Sequence, residues 1–339
     1  MPNKDPHLLL QSAPMLRQGM TTPQAMRDVW YALLPAVLAA FWYFGFGAVL
    51  LLAAVMLGAV GAEWVFTSPA RRRAALGDNS AALTGLLLGL TLPPGPPLWM
   101  AFLGGVVAIG LGKVIWGGLG SNLFNPALVG RAFLLGTFPI AMTTWSAAGG
   151  PEGFFGIQGS LLALPFQSPE YDALSAATPL GLMKFQQQGT DFSRLLLGNT
   201  AGSLGETSGL LLILGGLWLW LRRDLDWRIP TAILGSAALF SLILFLVNGE
   251  HFPDPLFTLF SGGMLLGAIY MATDPVTSPT TPRGAWIFGA GIGLLVVLIR
   301  AFGGLPEGMM YAILLMNAAT PLIDRYTQPR VFGRGIKQK

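Results

Sequence analysis

Side chains able to do chemistry are scarce in this chain, and they gather in two settings. The first is the polar run Tyr171-Asp172-Ala173-Leu174-Ser175-Ala176-Ala177-Thr178-Pro179, set within the longest stretch that is not apolar, residues 141–207. A loop of that length inside a compact domain is usually functional or disordered, and it is read here as functional. The Thr178 hydroxyl, preceded by small residues and led by an acid, is a nucleophile once a partner activates it. The plain alternative is that Thr178-Pro179 only opens a turn or a helix. The second setting is apolar. There Asp274, beside Thr273, sits in the broken run Met271-Ala272-Thr273-Asp274-Pro275-Val276-Thr277-Ser278-Pro279, and Asn122, Asn125 and Asn317 flank prolines or small residues. An acid at the centre of a bilayer costs about 2.5–3.5 kcal/mol, which points to a functional role. Capping of a helix end is the other reading for Asp274 and for the asparagines.

Composition narrows the chemistry. Of 339 residues, 53% are hydrophobic and 11% charged, with a mean hydropathy of +0.60, whereas soluble domains carry roughly 25% charged residues. The chain therefore reads as an all-α polytopic membrane protein. It has no cysteine to ligate an iron–sulfur cluster or form a disulfide. Its two histidines, His7 and His251, lie far apart in sequence, so a haem or zinc site built by this chain alone is not expected. No phosphate-binding G-x-x-x-x-G-K-[ST] loop occurs. The run Gly289-Ala290-Gly291-Ile292-Gly293 lies inside an apolar span, where close helix packing explains it. If the chain handles electrons, it does so with a flavin or a quinone.

Ten apolar segments are expected, at about 29–44, 46–66, 80–92, 98–116, 126–140, 208–221, 229–248, 256–273, 285–302 and 308–323. Several are shorter than the roughly 20 residues of a straight span, and those at 80–92 and 256–273 run into Pro-rich breaks, as half-spans would. The expected organisation is a cytoplasmic tail (1–28), a first transmembrane repeat (29–140), an external loop (141–207), a second repeat (208–324) and a cytoplasmic tail (325–339). With a cytoplasmic N-terminus, seventeen of the twenty Lys and Arg residues fall on the cytoplasmic side, leaving Lys184, Arg194 and Arg300 outside. That asymmetry puts the 141–207 loop in the periplasm of a Gram-negative cell. Glu63 is expected at the interface near Arg71–Arg73, Lys113 and Arg131 to reach the cytoplasmic surface, and the tryptophans to form an interfacial belt.

An internal repeat is legible. Gly89-Leu90-Thr91-Leu92-Pro93-Pro94-Gly95-Pro96-Pro97-Leu98-Trp99, an apolar span, Lys113 and Gly117-Gly118-Leu119 correspond to the Met271–Pro279 run, Trp286, an apolar span, Arg300 and Gly303-Gly304-Leu305. Five segments per half invert the second half in the membrane, an arrangement common in transporters. The two breaks then face a central site, because irregular backbone at membrane depth survives only when buried in protein or lining a wet cavity.

Several strings resemble one family. These are Lys113 followed by Gly117-Gly118-Leu119-Gly120-Ser121-Asn122-Leu123-Phe124-Asn125-Pro126-Ala127, the Met271–Pro279 run, and Glu307-Gly308, Tyr311-Ala312-Ile313-Leu314, Asn317-Ala318 and Pro321-Leu322-Ile323-Asp324. They are similar to the membrane D subunit of the Rnf electron-transport complexes and its relative, the B subunit of the sodium-translocating NADH:quinone oxidoreductases. Asp172-x-x-Ser175-Ala176-Ala177-Thr178 likewise resembles the site at which bacterial flavin transferases attach FMN through its phosphate, with Ala176 where glycine is common. The resemblance implies covalent FMN on Thr178, with Asp172 and Ser175 as recognition residues for the transferase. It also implies a non-covalent riboflavin in the membrane part, near Asn122, Asn125, Thr273 or Asp274. The chain would be one relay in a bacterial inner-membrane complex that exchanges electrons between ferredoxin and NAD and moves Na⁺ or H⁺, with partner subunits holding the other sites. An inverted-repeat transporter or channel without a redox cofactor is the alternative, and a scaffold for partner subunits is a third reading.

Overall fold

The structure is a computed structural model that describes residues 21–146, 148–149, 154–155, 159–165, 167, 176–249 and 251–329. The described residues are helical, with no strand element among them. In the first half α1 spans Thr22–Phe44, α2 Phe46–Phe66, α3 Arg72–Gly77, α4 Ser80–Leu90, α5 Leu98–Gly112, α6 Pro126–Thr137 and α7 Pro139–Thr143. Two short helices, α8 (Pro179–Gln186) and α9 (Phe192–Leu197), precede α10 (Gly209–Arg222), α11 (Arg228–Val247), α12 (Pro255–Phe260), α13 (Met264–Leu266), α14 (Pro282–Phe302) and α15 (Met309–Thr327). Each of the ten expected apolar segments holds at least one helix.

Four helices are long and apolar enough to cross a membrane: Phe46–Phe66, Leu98–Trp116, Arg228–Val247 and Pro282–Phe302. Helices α4, α6 and α10 are apolar but shorter. Large apolar side chains such as Trp42, Leu57, Leu246 and Val247 face outward, as lipid-facing surfaces of a membrane protein do.

Small residues set the packing. A side chain at Gly105 of α5 would collide with the Val55 carbonyl of α2, and one at Gly293 of α14 with the Ile233 carbonyl of α11. The backbones of α2 with α5, and of α11 with α14, are thus in direct contact, as small residues allow in membrane helices. This is the packing role expected of the Gly289–Gly293 run. Across the halves α1 lies against α10, where the Tyr270 hydroxyl donates to the carbonyls of Leu212 (3.0 Å) and Ala32 (3.4 Å).

Both expected breaks exist, and a third appears. Helix α4 ends at Leu90, and the carbonyls it leaves unpaired at Leu90 and Leu92 accept from the N–H groups of Gly205 (2.6 Å) and Leu204 (3.0 Å). The eighth segment closes with a π-helical turn at Gly267–Met271, where the Met271 carbonyl accepts from the Asn125 side chain at 3.0 Å. Such pairing is required wherever backbone leaves the helix without water. The eighth segment is also interrupted inside, at Ser261-Gly262-Gly263 between α12 and α13. Gly262 has φ +64°, a left-handed conformation that favours glycine. Arg300 closes the end of α12 by donating to the carbonyls of Thr258 (2.6 Å) and Ser261 (2.9 Å).

Candidate functional site

Two clefts are lined by residues from both halves of the chain. The first is a cavity of about 460 Å³ lined by Thr178, Trp145, Phe185, Tyr311, Arg131 and Glu307, among others. That volume lies within the roughly 300–1,000 Å³ of small-molecule sites. Thr178 is the N-cap of α8, with Pro179 in the first turn, and its hydroxyl oxygen accepts from the Gly181 N–H at 3.1 Å. The plain reading of Thr178-Pro179 as a helix start is therefore correct in the fold. It leaves the functional reading intact, because Thr178 is half-buried on the cleft wall. Asp172 and Ser175 lie outside the described residues.

Charge is concentrated beside Thr178. Arg131 Nη2 donates to Glu307 Oε2 at 2.5 Å, and the Gly263 N–H donates to Glu307 Oε1 at 3.0 Å. The expectation that Arg131 reaches the cytoplasmic surface is thus corrected: it is buried and held by an acid from the 303–308 turn. Burial works to raise the Glu307 carboxyl, but the Arg131 and Arg300 charges outweigh it and hold the group below the usual range. Glu206 lies beside this pair and is pushed up to about 7 by burial, with the Glu307 charge adding to the rise. Glu307 is marked in the sequence only by the string that carries the resemblance, and Glu206 by nothing. Glu206 and Glu307 are far apart along the chain, and only the fold brings them together.

The second cleft contains all four residues singled out for the membrane part, Asn122, Asn125, Thr273 and Asp274, together with Lys113 and Asp224. Asn125 caps α6, accepting from Ala127 N–H (3.0 Å) and Leu128 N–H (3.4 Å) while its amide closes the π-helical turn. Asp274 is engaged by its own turn, accepting from Val276 N–H (3.2 Å) and the Thr277 hydroxyl (3.3 Å). Thr273 donates back to the Ile269 carbonyl at 2.6 Å. Asn122 differs, because its Oδ1 is buried without a hydrogen-bond partner. An orphaned acceptor on a cavity wall fits a ligand that donates a hydrogen bond. This cavity, about 110 Å³, is smaller than the roughly 300–1,000 Å³ of typical ligand sites.

Two further expectations change. Lys113 does not reach the surface: it is buried with Glu63, and they form an ion pair in which Lys113 also donates to the Ser80 hydroxyl at 2.6 Å. Asn317 lies inside α15 and caps no break, since its side-chain oxygen and nitrogen are both buried and unpartnered. In the turn between α10 and α11, Asp224 is raised to about 6 by burial and then by Asp28.

Comparison with known proteins decides the family. Residues 9–333 match the NQR2, RnfD, RnfE family. The chain belongs to that family. It is 39% identical over 334 residues to the D subunit of the proton-translocating ferredoxin:NAD(+) oxidoreductase complex of Clostridium ljungdahlii, with 96% of each chain covered. The D subunits of ion-translocating oxidoreductase complexes are similarly close. That of Stutzerimonas stutzeri is 42% identical over 332 residues, covering 93% of each chain. That of Yersinia enterocolitica is 40% identical over 354 residues, covering 97% of this chain and 99% of the relative. Within the NQR2, RnfD, RnfE family, the strings that carry the resemblance correspond to structural joints. Asn122 and Asn125 line the second cleft, the Met271–Pro279 run ends the broken eighth segment, and Glu307 faces Thr178.

Proposed function

We propose that the chain is the flavin-carrying membrane subunit of an ion-translocating electron-transport complex linking ferredoxin and NAD. In this reading FMN is joined to Thr178 through a phosphoester, and the chain passes electrons between neighbouring redox centres. The carrying observation is the Thr178 hydroxyl on the wall of an aromatic cleft. Trp145, Phe185 and Tyr311 line it, as suits a planar ring. A phosphate on Thr178 would sit at the N-terminal end of α8 and share its cleft with the charge of Arg131. Attachment forms an O–P bond from the Thr178 oxygen, breaks the pyrophosphate bond of a flavin adenine dinucleotide donor, and releases AMP and the hydroxyl proton. A flavin transferase performs it, reading Asp172 and Ser175. The bound FMN supplies one-electron transfer. The chain's own residues orient it, exclude water and set the local charge.

A second flavin, riboflavin held without a covalent bond, is assigned to the cleft of Asn122, Asn125, Thr273 and Asp274. Its support is the orphaned Asn122 oxygen. The two clefts belong to two inverted five-segment repeats, a reading supported by matching packing: α2 with α5 as α11 with α14, and a broken third element in each half. The distribution of Lys and Arg supports cytoplasmic termini and a periplasmic Thr178 loop in the inner membrane, with Arg131 buried and outside the cytoplasmic set.

The test is the mass of the intact chain. Protein from a host with a flavin transferase is expected to carry an FMN-sized addition, and protein from a host lacking it to be full-length, membrane-inserted and unmodified. An unmodified chain from both hosts contradicts the proposal and leaves the transporter reading in front.

A further inference from the structure

Beneath Thr178 lies a second, smaller cavity of about 30 Å³, lined by Thr178, Trp145, Thr200, Glu206, Gly262 and Glu307, among others. It has room for a water molecule. Two acids meet at its wall. A side chain at Gly263 would collide with Glu307 Oε1 and come within 3.3 Å of Glu206 Oε1, so both carboxylates converge on the same face of this glycine. Their surroundings differ. Glu307 is fully engaged by Arg131 and the Gly263 N–H. Glu206 receives only a long bond from the Ser203 N–H (3.4 Å) on Oε2, and its Oε1 is buried with no partner. An acceptor left unpaired in a buried site carries a free-energy cost that a proton removes, because a carboxylic acid needs fewer donors than a carboxylate.

We propose that Glu206 is a proton-exchange site that takes up one proton when negative charge arrives on the group attached at Thr178, and releases it when that charge leaves. This rests on the flavin reading of Thr178. The charged groups around Glu206 are Glu307 from the 303–308 turn, Arg131 from α6 and Arg300 from α14. With both acids ionised these four groups sum to zero. An electron delivered to the cleft by a reduced partner, or by dithionite in the test below, adds one negative charge a short distance from Glu206. The carboxylate then takes a proton from hydronium in the water on the Thr178 side: one O–H bond forms on Glu206, one O–H bond of the hydronium breaks, and water is left. Reoxidation removes the electron and returns the proton to that water. Glu307 cannot serve, because two arginines and a backbone N–H stabilise its ionised form. The elevated affinity of Glu206 for a proton, near pH 7, puts its exchange within the working range of a cell.

The experiment is redox difference infrared spectroscopy of the assembled complex, reduced with dithionite, after a denaturing gel has shown the covalent flavin band. At pH 8 the wild type is expected to gain the carbonyl stretch of a protonated carboxylic acid on reduction, shifted in D₂O. Glu206→Gln should lose that signal and Glu206→Asp should restore it at a displaced frequency. Assembly and the flavin band should be retained in both variants. At pH 5, where Glu206 is protonated in both redox states, the reduction-dependent signal should vanish. A wild-type spectrum without the signal, or an unchanged signal in Glu206→Gln complexes that carry the flavin, overturns the inference and leaves the flavin reading standing. Absence of the flavin band from the wild type overturns both.

Discussion

Glu63 and Lys113 show how a single side chain can dominate stability in this molecule. Their ion pair is buried in the protein, and Ser80 completes it. Removing one partner strands the other charge, at a cost of about 3–5 kcal/mol, whereas replacing both by apolar side chains of similar size is often neutral. Lys113→Met is therefore expected to lower the thermal midpoint of the purified protein strongly. The double variant Glu63→Leu with Lys113→Met should recover most of the loss. A single variant as stable as the wild type would contradict the buried pairing. Asn122→Leu addresses the second cleft: it should reduce the non-covalent flavin recovered per mole of complex and leave the covalent band unchanged, as measured by acid extraction. Thr178, Asn122, Asn125, Thr273 and Asp274 are legible in the sequence because polar residues beside prolines in an apolar chain stand out. Glu206, Arg131 and the Glu63–Lys113 pair are not, because each has its meaning through a partner distant in sequence, and periodicity carries no information about such partners.

Helix α8 is short, and one lysine holds it. Lys184 donates to the carbonyls of Arg300 (3.0 Å), Gly303 (2.5 Å) and Leu305 (3.0 Å), tying the helix that begins at Thr178 to the end of α14. Each carbonyl left unsatisfied costs about 1–3 kcal/mol where it remains buried. Lys184→Met is expected to keep the covalent flavin, since attachment depends on the Asp172–Thr178 run. The attached ring should become more accessible, seen as stronger iodide quenching of its fluorescence. Quenching equal to the wild type would show that α8 does not position the group. The half-helix at 80–90 is readable from Thr91-Leu92-Pro93-Pro94. The break at Ser261-Gly262-Gly263 is hidden because the surrounding residues are as apolar as an unbroken span. Its one signal is the glycine pair beside a serine in a segment already ending at Asp274-Pro275.

At the scale of the whole molecule, the proposed function puts Thr178 and the termini on opposite sides of the membrane, as the distribution of Lys and Arg suggests. The native chain has no cysteine, so a single introduced thiol reports orientation cleanly. Gln188→Cys, in the exposed turn after α8, should react with a membrane-impermeant thiol reagent in intact spheroplasts, and Gln328→Cys, exposed beyond α15, should react only after lysis. The reverse pattern would put the Thr178 loop in the cytoplasm. That the chain is helical, and where its main apolar helices lie, is legible because the apolar segments are sharply bounded. How the halves join is not, since those joints link residues far apart in sequence, such as the Asn125 side chain on the Met271 carbonyl. The central claim, that this chain carries flavin on Thr178, is tested most directly by in-gel fluorescence after denaturing electrophoresis, which only a covalent flavin survives. The wild type should give a fluorescent band, Thr178→Val none, because a methyl replaces the oxygen of the phosphoester while keeping the shape, and Ser175→Ala a weaker band. A Thr178→Val chain that still fluoresces would contradict the account.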